Sequence, residues 1–246
     1  DRDSDRTRLT GAGRVTKVIT LALDSSTLGG SVALVSAGQV LGCKTGDATQ
    51  PHSERLPDDV LTLLVTHKIT LTEVDLFAVC VGPGSFTGLR VGLATIKAMA
   101  LVNRRRIVPI STLEARAHVG LRSMESQSPP ALIVPWMNAH RGEVFASVYA
   151  VHEQRRLVEL EQPRVGTPAA LLDKWSHRLT EPPILFTGDG LEHGANIINT
   201  HVKGSLFLGQ NLPPLAPIIA ILAEKLGVQN AMPPHSVTPF YLRRPY

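Results

Sequence analysis

The segment VGPGSFTGLRVG, residues 81–92, combines glycines, hydroxyls and apolar flanks in an order typical of a strand, a tight turn and a helix. Pro83 presets φ for the second position of a turn, and Gly84 supplies the positive φ that a type II turn needs next. Backbone N–H groups of Ser85 to Gly88 would then face outward from a helix N-terminus, where the helix dipole favours an anion. Two interpretations stay open: a phosphate-binding turn, or a turn that serves only close packing.

The spacing of this segment does not match a known phosphate or nucleophile motif. It is G-x-G-x-x-x-G, which differs from the dinucleotide fingerprint and from the P-loop, and no lysine follows to reach a phosphate. It is not a G-x-S-x-G nucleophile elbow either, because the second neighbour of Ser85 is Thr87. Hydrolase chemistry is therefore poorly supported, and the candidate anion contacts are Gly82, Gly84, Ser85, Thr87 and Gly88.

A second polar cluster follows the first apolar run, in the sequence LALDSST. A carboxylate at Asp24 would suit Mg²⁺, and the hydroxyls of Ser25 and Thr27 would suit a phosphate. Asp, Ser and Thr are equally the residues that form turns by bonding to their own backbone. Asp24, Ser25 and Thr27 are thus candidate nucleotide contacts, and the turn-forming interpretation remains beside that one.

The histidines and cysteines point away from metal sites. The nine histidines contain no H-x-x-H, H-x-x-x-H or H-E-x-x-H pair, so we predict no zinc. Cys43 and Cys80 lie too far apart for C-x-x-C, and two cysteines in this length favour a reducing compartment, which predicts the cytoplasm. The longest apolar runs, such as residues 18–23, are too short to span a bilayer, so we expect no membrane role.

Charge and aromatic content do not predict a nucleic-acid-binding surface. The formal net charge is +4, but the excess is scattered and aromatic residues make up only 4% of the chain, so no base-stacking surface is visible. Three consecutive arginines, residues 104–106, follow Asn103 at the end of a predicted helix. They suit either RNA phosphates or the negative end of the helix dipole, and both interpretations stay open.

The elements that must position these residues begin with three β-rich runs, at 18–26, 30–38 and 39–46. A helix is predicted over 53–68, with Ser53 as its N-cap and Pro57 in its first turn. A buried strand at 76–81 leads through the glycine segment into a small-residue helix at 87–102. A strand at 107–112 and another helix complete the first half, before a polar linker at 126–131.

The second half repeats this plan with different loops. Two strands flank an NAHRG turn, a third strand follows in RLVELEQPRVG, and a helix and a strand follow in TPAALLDKWSHRL and PILFTG. Both halves therefore predict a β-β-β-α-β order. Residues 1–16 are expected to be a disordered leader, an expression-vector remnant or sequence upstream of the true start. The rest is expected to form an N-terminal lobe at 17–125 with helix 215–227 packing back on it, a C-terminal lobe at 129–212, and an irregular tail at 228–246.

Four segments taken together resemble the TsaB (YeaZ) family: LALDSST, GPGSFTGLRVGLATIKAMAL, PISTLEA and the strand pair around NAHRGEVF. The resemblance runs from Lys17 to the end. It implies an α/β fold of actin-like, sugar-kinase-like (ASKHA) type with two lobes of duplicated β-β-β-α-β plan. It also implies a non-catalytic partner of TsaD, the transferase that places threonylcarbamoyl on the tRNA adenosine beside the anticodon, in a complex completed by the ATPase TsaE.

The resemblance also says what separates this chain from the catalytic paralogue. That paralogue has a similar glycine loop but continues into an H-x-x-x-H metal motif, whereas ISTLEARAH contains only His118. The implied role is therefore not enzymatic. One departure concerns the D-A-R-x-G-E-V segment of the family: Asn138 stands here in place of the aspartate, which puts the role of that carboxylate in doubt and leaves Arg141 and Glu143.

By the same resemblance, the two helices of the first lobe form a four-helix contact with the partner. The interface candidates are Leu56, Val60, Leu64, Leu89, Gly92, Leu93, Ile96 and Ala98. These residues fit an intramolecular core equally well. We expect a homodimer without TsaD, no required cofactor and at most indirect contact with tRNA, while ATP or ADP with Mg²⁺ at the partner interface stays an alternative.

Two other function classes remain. An ATP-dependent phosphotransferase or ATPase of the actin and sugar-kinase superfamily would use Asp24 to Thr27, the glycine loop and the Gly-Asp-Gly turn within 183–195 around a nucleotide. The missing P-loop lysine opposes it. A peptidase is the more remote alternative, because no nucleophile and base can be identified.

Overall fold

The computed structural model describes residues 18–47 and 49–243, and the predicted leader at 1–16 lies outside that range. The first half contains strands β1 to β5 and helices α1 to α3: β1 (Ile19–Asp24), β2 (Ser31–Ser36), β3 (Gln39–Thr45), α1 (His52–Thr66), β4 (Leu76–Gly82), α2 (Phe86–Val102), β5 (Ile107–Ser111) and α3 (Thr112–Ser123). The second half continues with β6 (Leu132–Asn138), β7 (Val144–His152), β8 (Arg156–Gly166), α4 (Pro168–Trp175), β9 (Ile184–Thr187), α5 (Leu191–His201), β10 (Leu206–Leu208) and α6 (Ala216–Leu226).

The strands form two sheets with the same topology. The first sheet has the order β3-β2-β1-β4-β5, and the second has the equivalent order β8-β7-β6-β9-β10. In each sheet the first three strands are antiparallel and the remaining neighbours are parallel. This repeat confirms the predicted α/β fold of actin-like and sugar-kinase-like type, with two lobes of duplicated β-β-β-α-β plan.

The first sheet is covered by helices on both faces because its strands are apolar on both sides. Leu21 and Leu23 of β1 pack with α1 and α2, whereas Ala22 points to the opposite face and packs with α6. Helix α6 follows the second sheet in the chain yet packs on β1, β2 and β4 of the first. The chain therefore crosses back to the first lobe near its end.

Helix α3 lies between the two sheets and contacts both. Its Ala115 and Val119 belong to the cluster that contains α6, while Ala117 and Leu121 pack with Ile133, Tyr149 and Leu185 of the second sheet. Helices α4 and α5 cover the other face of that sheet around Trp136 and Trp175, both fully buried. Relative placement of the two lobes therefore depends on α3.

Several predicted boundaries differ from the structure. Helix α1 begins at His52 with Pro51 at the N-cap position, so the prediction of Ser53 as N-cap was wrong, and Pro57 lies in the second turn. Helix α5 and strand β10 were not predicted. The α5 sequence LEHGANIINTH contains Gly194, asparagines and isoleucines of modest helix propensity, and β10 has only three residues.

Within the described residues, no helix combines the length and apolar character needed to cross a membrane.

Helix α2 offers a matched test of its two faces. Ile96 is 0% exposed and packs beneath the sheet, whereas Val102 is 77% exposed at the end of the same helix. We expect Ile96→Ala to lower the free energy of unfolding by about 2–5 kcal/mol, because it leaves a cavity. Val102→Ala should change it by about 0.5 kcal/mol or less. Urea unfolding followed by circular dichroism measures both, and equal losses would contradict this placement of α2.

Burial of His118 on α3 makes stability depend on pH. Desolvation, with a smaller contribution from Lys225, lowers the pKa of His118 to about 4, against about 6.5 for an unfolded histidine. Between these values the unfolded chain binds a proton that the folded chain does not, so stability falls as pH falls through that window. We expect His118→Gln to flatten the dependence of unfolding free energy on pH there. His152→Gln, at an exposed position, controls for loss of a histidine, and a wild-type slope in His118→Gln would contradict the assignment.

Candidate functional site

The turn between β1 and β2 is built by its own polar side chains. Asp24 is buried, and its Oδ1 accepts hydrogen bonds from the backbone N–H of Ser26 at 2.9 Å and from the Ser26 hydroxyl at 2.6 Å. The Asp24 carboxylate therefore already stabilises the turn, as the turn-forming interpretation requires. Burial and the nearby Asp24 charge also raise the pKa of the Cys80 thiol on β4.

The glycine segment makes a different turn from the predicted one. The Gly82–Pro83 peptide is cis, and the positive φ of 120° falls on Gly82 rather than on Gly84. The type II turn predicted from Pro83 and Gly84 was therefore wrong, because that turn needs a positive φ at the residue after Pro83. Gly84 has another role: a Cβ at this position would lie 2.6 Å from the carbonyl oxygen of Ser26.

The predicted anion contacts come together in space, since β1 and β4 are parallel neighbours whose carboxyl ends meet. They are not arranged as an open phosphate cradle. The Ser85 N–H donates to the Ser26 carbonyl at 2.8 Å, and the Gly88 N–H donates to Ser85 Oγ at 3.2 Å as an N-cap bond. A Cβ on Gly92 would overlap Ser25 Oγ, so α2 lies directly against this turn. The geometry favours the close-packing interpretation of the loop.

A cavity of about 360 Å³ and a smaller one of about 230 Å³ lie at opposite ends of the first lobe. The smaller one opens between the lobes and is lined by Asp24, Thr27, Arg116 and Asp189, together with glycines 29, 30 and 46 and residues 212–215. Asp24 comes from β1 and Asp189 from the loop after β9. The inter-lobe cleft thus brings together one carboxylate from each lobe.

Arg116 of α3 supplies a cation to this cleft. It is only 5% exposed, and its Nη1 donates to the Pro213 carbonyl at 3.4 Å. Burial lowers the pKa of Arg116, while the charges of Asp24 and Asp189 oppose that shift. A guanidinium of the chain itself therefore lies near both carboxylates of the cleft. Nothing in the sequence alone singled out Arg116, because it is one of several polar residues in this helix.

The Gly-Asp-Gly turn at 188–190 is hydrogen-bonded to strand β6 of the second sheet. Asp189 Oδ1 accepts the Asn138 N–H at 3.0 Å, and the Gly190 N–H donates to the Trp136 carbonyl. Asn138 in turn accepts the His140 N–H at 2.8 Å and so shapes the β6–β7 turn. A larger cavity of about 630 Å³ lies beside it, between α5 and β10. Sequence analysis did not find this cavity because neither element was predicted.

Metal-ligating side chains are dispersed in the part of the chain that the structure describes. No group of three histidine, cysteine, aspartate or glutamate residues there is placed to hold a metal ion. On α3, the positions one turn before and after His118 are Glu114 and Arg122. The histidine of ISTLEARAH therefore has no histidine neighbour along its helix.

Most of the predicted partner contacts on α1 and α2 lie in the core of this chain, which is the alternative that the sequence left open. Seven of the eight candidates are buried within this chain: Leu56, Val60, Leu64, Leu89, Gly92, Leu93 and Ile96. They form the apolar stripe that each helix turns toward the first sheet, so a partner cannot contact their side chains in this structure. Ala98 alone among the eight is exposed. The role of α1 and α2 as docking helices stays a prediction, now with a different set of residues.

The outer face of these two helices is also apolar. Leu61 and Val65 on α1 are 53% and 76% exposed, and Leu101 and Val102 on α2 are 61% and 77% exposed. Ala94 and Ala98, which precede Leu101 and Val102 on α2, are exposed as well. We call these six residues the α1–α2 surface. Adjacent exposed apolar side chains on neighbouring helices are typical of protein interaction sites.

Comparison with known proteins places this geometry in a family. Residues 41–180 match the family model described as TsaD, tRNA N6-adenosine threonylcarbamoyltransferase. The tRNA threonylcarbamoyladenosine biosynthesis protein TsaB of Haemophilus influenzae is 34% identical over 127 residues, covering 52% of this chain and 52% of that protein. The alignment thus spans about half the length of that relative.

Two further comparisons extend over nearly the whole chain. TsaB of Bacillus subtilis is 28% identical over 228 residues, covering 91% of this chain and 93% of that one. A solved Pseudomonas aeruginosa protein described as similar to peptidase YeaZ superposes with a TM-score of 0.76 at 23% identity, over 92% of this chain and all of that one, which shows a shared fold. The chain belongs to the family that the threonylcarbamoyltransferase (TsaD) model describes and, within it, to the TsaB (YeaZ) proteins.

Proposed function

We propose that this chain is the non-catalytic partner subunit of a TsaD-type transferase in threonylcarbamoyladenosine modification of tRNA, at the adenosine beside the anticodon. The observation that carries the proposal is the exposed apolar α1–α2 surface. The names of its relatives place TsaB proteins in the same biosynthesis. The partner is a TsaD-type protein, a TsaE-type ATPase completes the complex, and tRNA contacts this subunit at most indirectly.

The α1–α2 surface has the composition that close helix packing needs. Leu61, Val65, Leu101 and Val102 supply apolar area, and the small Ala94 and Ala98 leave room for a partner helix. Desolvating such a surface costs little, because few polar groups lose their water. In the isolated chain, a second copy would cover the same surface, so we propose a homodimer when the transferase is absent.

The proposal of a non-catalytic role rests on α3. Members that carry out the transfer are implied to hold a metal with paired histidines, but Glu114 and Arg122 flank His118 here at the spacing of one turn. Burial keeps the single histidine neutral near neutral pH, beside Lys225 rather than a second ligand. We therefore propose that this subunit supports the transferase without supplying its reacting groups.

We also propose that the chain needs no nucleotide of its own. Two N–H groups of the glycine loop donate to Ser26 and Ser85, and Arg116 stands near both cleft carboxylates. These groups would have to give up internal contacts before holding a phosphate. A phosphotransferase or ATPase remains the second candidate, because Asp24 and Asp189 face one cleft.

Ala98→Arg tests the partner surface. Arginine keeps the helix propensity of α2, and its side chain projects from an exposed position, so the fold should persist. We expect it to abolish co-purification with the TsaD-type protein of the same organism, because a long charged side chain prevents close helix packing. Affinity pull-down from co-expressing cells measures this, with threonylcarbamoyladenosine in tRNA as a second readout.

Ala170→Arg, the same change at an exposed position of α4, is the matched control and should leave the complex intact. Light scattering of the isolated variants should give a monomer for Ala98→Arg and a dimer for Ala170→Arg. Leu93→Glu is unsuitable for this purpose because it buries a charge in the core. A folded Ala98→Arg protein that still binds the transferase would overturn the proposed interface.

Calorimetric titration of the isolated chain with ATP and Mg²⁺ separates the two candidate functions. We expect no binding in the micromolar range and no phosphate release, because two of the loop N–H groups and both cleft carboxylates have internal hydrogen-bond partners. Arg116→Met and Asp24→Asn serve as comparisons that disturb the cleft from its two sides. Micromolar binding with turnover in the wild type, lost in Asp24→Asn, would instead support the phosphotransferase or ATPase.

A further inference from the structure

An arginine lies against two aromatic rings where α2 begins. The guanidinium carbon of Arg90 is 3.8 Å from the ring centroid of Phe86 and 6.0 Å from that of Tyr241. The Arg90 Nε donates a hydrogen bond to Tyr241 Oη at 3.1 Å, and the two rings lie 5.0 Å apart. We call Phe86, Arg90 and Tyr241 the aromatic–arginine cluster.

Tyr241 reaches this place because the C-terminal segment is fixed on both lobes. The Phe240 N–H donates to the Val81 carbonyl at 2.7 Å in the first lobe. Leu242 packs on a cluster of the second lobe that includes Met137 and Phe145, and Arg243 forms an ion pair with Glu143 in the β6–β7 turn. The residues on either side of Tyr241 are therefore held in place, which preorganises the cluster for a partner.

The cluster continues the α1–α2 surface. Positions 86, 90, 94, 98 and 101 of α2 follow one another at a spacing of three or four residues, so they share one face of the helix. Each of the five is exposed, including Phe86 and Arg90. A partner helix that packs on Ala94, Ala98 and Leu101 would therefore reach Arg90 at the end of the same row.

The charge of Arg90 has no counterpart within the described residues. No carboxylate oxygen there lies within 4 Å of its guanidinium, whereas Arg55, Arg105, Arg178 and Arg243 each have one. The Arg90 guanidinium lies over the Phe86 ring, and its Nε bond to Tyr241 restrains its rotation. A planar, fixed guanidinium is suited to a bidentate bond with a carboxylate.

We propose that the aromatic–arginine cluster anchors the TsaD-type partner and that Arg90 binds a carboxylate side chain of that partner. This rests on the proposed function, because the cluster is the end of the proposed docking surface. Arginine and aromatic residues in preordered positions are the side chains that most often dominate interface energies. The C-terminal segment acts here by positioning: Tyr241 orients Arg90 and covers one side of the bound carboxylate.

Affinity of the purified full-length chain for its TsaD-type partner tests the anchor, measured by calorimetry at low and at high salt. We expect Arg90→Gln to weaken binding about ten-fold or more and to reduce the salt dependence, because one interfacial ion pair is lost. Arg90→Lys should recover little, since an ammonium lacks the planar fork. Tyr241→Ala should weaken binding in the same direction, and Tyr241→Phe less, because only the orienting hydroxyl is removed.

Arg164→Gln, an exposed arginine on β8 of the second lobe, is the matched control and should stay within about two-fold of wild type. Circular dichroism establishes that each variant is folded. The salt dependence distinguishes an ion pair from a purely structural role, since a structural role would leave the salt dependence of the folded variant unchanged.

Two outcomes overturn the anchor while leaving the proposed function standing. One is wild-type affinity and salt dependence in folded Arg90→Gln and Tyr241→Ala, in a preparation where Ala98→Arg abolishes the complex. The other is weakening of the homodimer alone, which would assign the carboxylate to a second copy of this chain. If the wild-type chain does not bind the transferase at all, the proposed function fails, and the anchor fails with it.

Discussion

The close approach of α2 to the β1–β2 turn is the contact on which the rest of the arrangement depends. It is available only where side chains are missing, since a Cβ on Gly84 or Gly92 would collide with Ser26 or Ser25. The Ser85 N–H and the Ser26 carbonyl then join the two segments directly. This contact uses one N–H group of the glycine loop, and it holds the start of α2 against the β1–β2 turn.

With α2 packed against the β1–β2 turn, its two faces have separate roles. The inner face is buried with α1 against the first sheet, so the side chains that make the helix amphipathic are not the ones a partner can contact. The outer face is apolar as well, which is unusual for a helix that is exposed on that side. A surface of this kind suits the proposed role of this chain as a subunit that docks onto a larger assembly.

Elements of the chain itself connect the two lobes around the cleft. Helix α3 contacts both sheets, Arg116 brings a positive charge to the carboxylates of the cleft, and the C-terminal segment joins the β4 end to the β6–β7 turn. Protein groups thus bridge the two lobes, which favours a fixed relation between them and a steady presentation of α2.

The amino-acid sequence determined the repeated β-β-β-α-β plan, because apolar periodicity and turn residues are local signals that both halves carry. It also determined the positions of α2 and α6 to within one residue, and the resemblance carried by GPGSFTGLRVG and ISTLEA indicated the family. The sequence did not predict α5 or β10, because residues of modest propensity form these elements only against the second sheet. The tertiary structure alone decided which face of α1 and α2 is free, since Leu56 and Leu61 are equally apolar and differ only in what packs on them. It alone placed Arg116 beside two carboxylates and Tyr241 beside Arg90, because such contacts join residues far apart in the chain and leave no periodic trace within it.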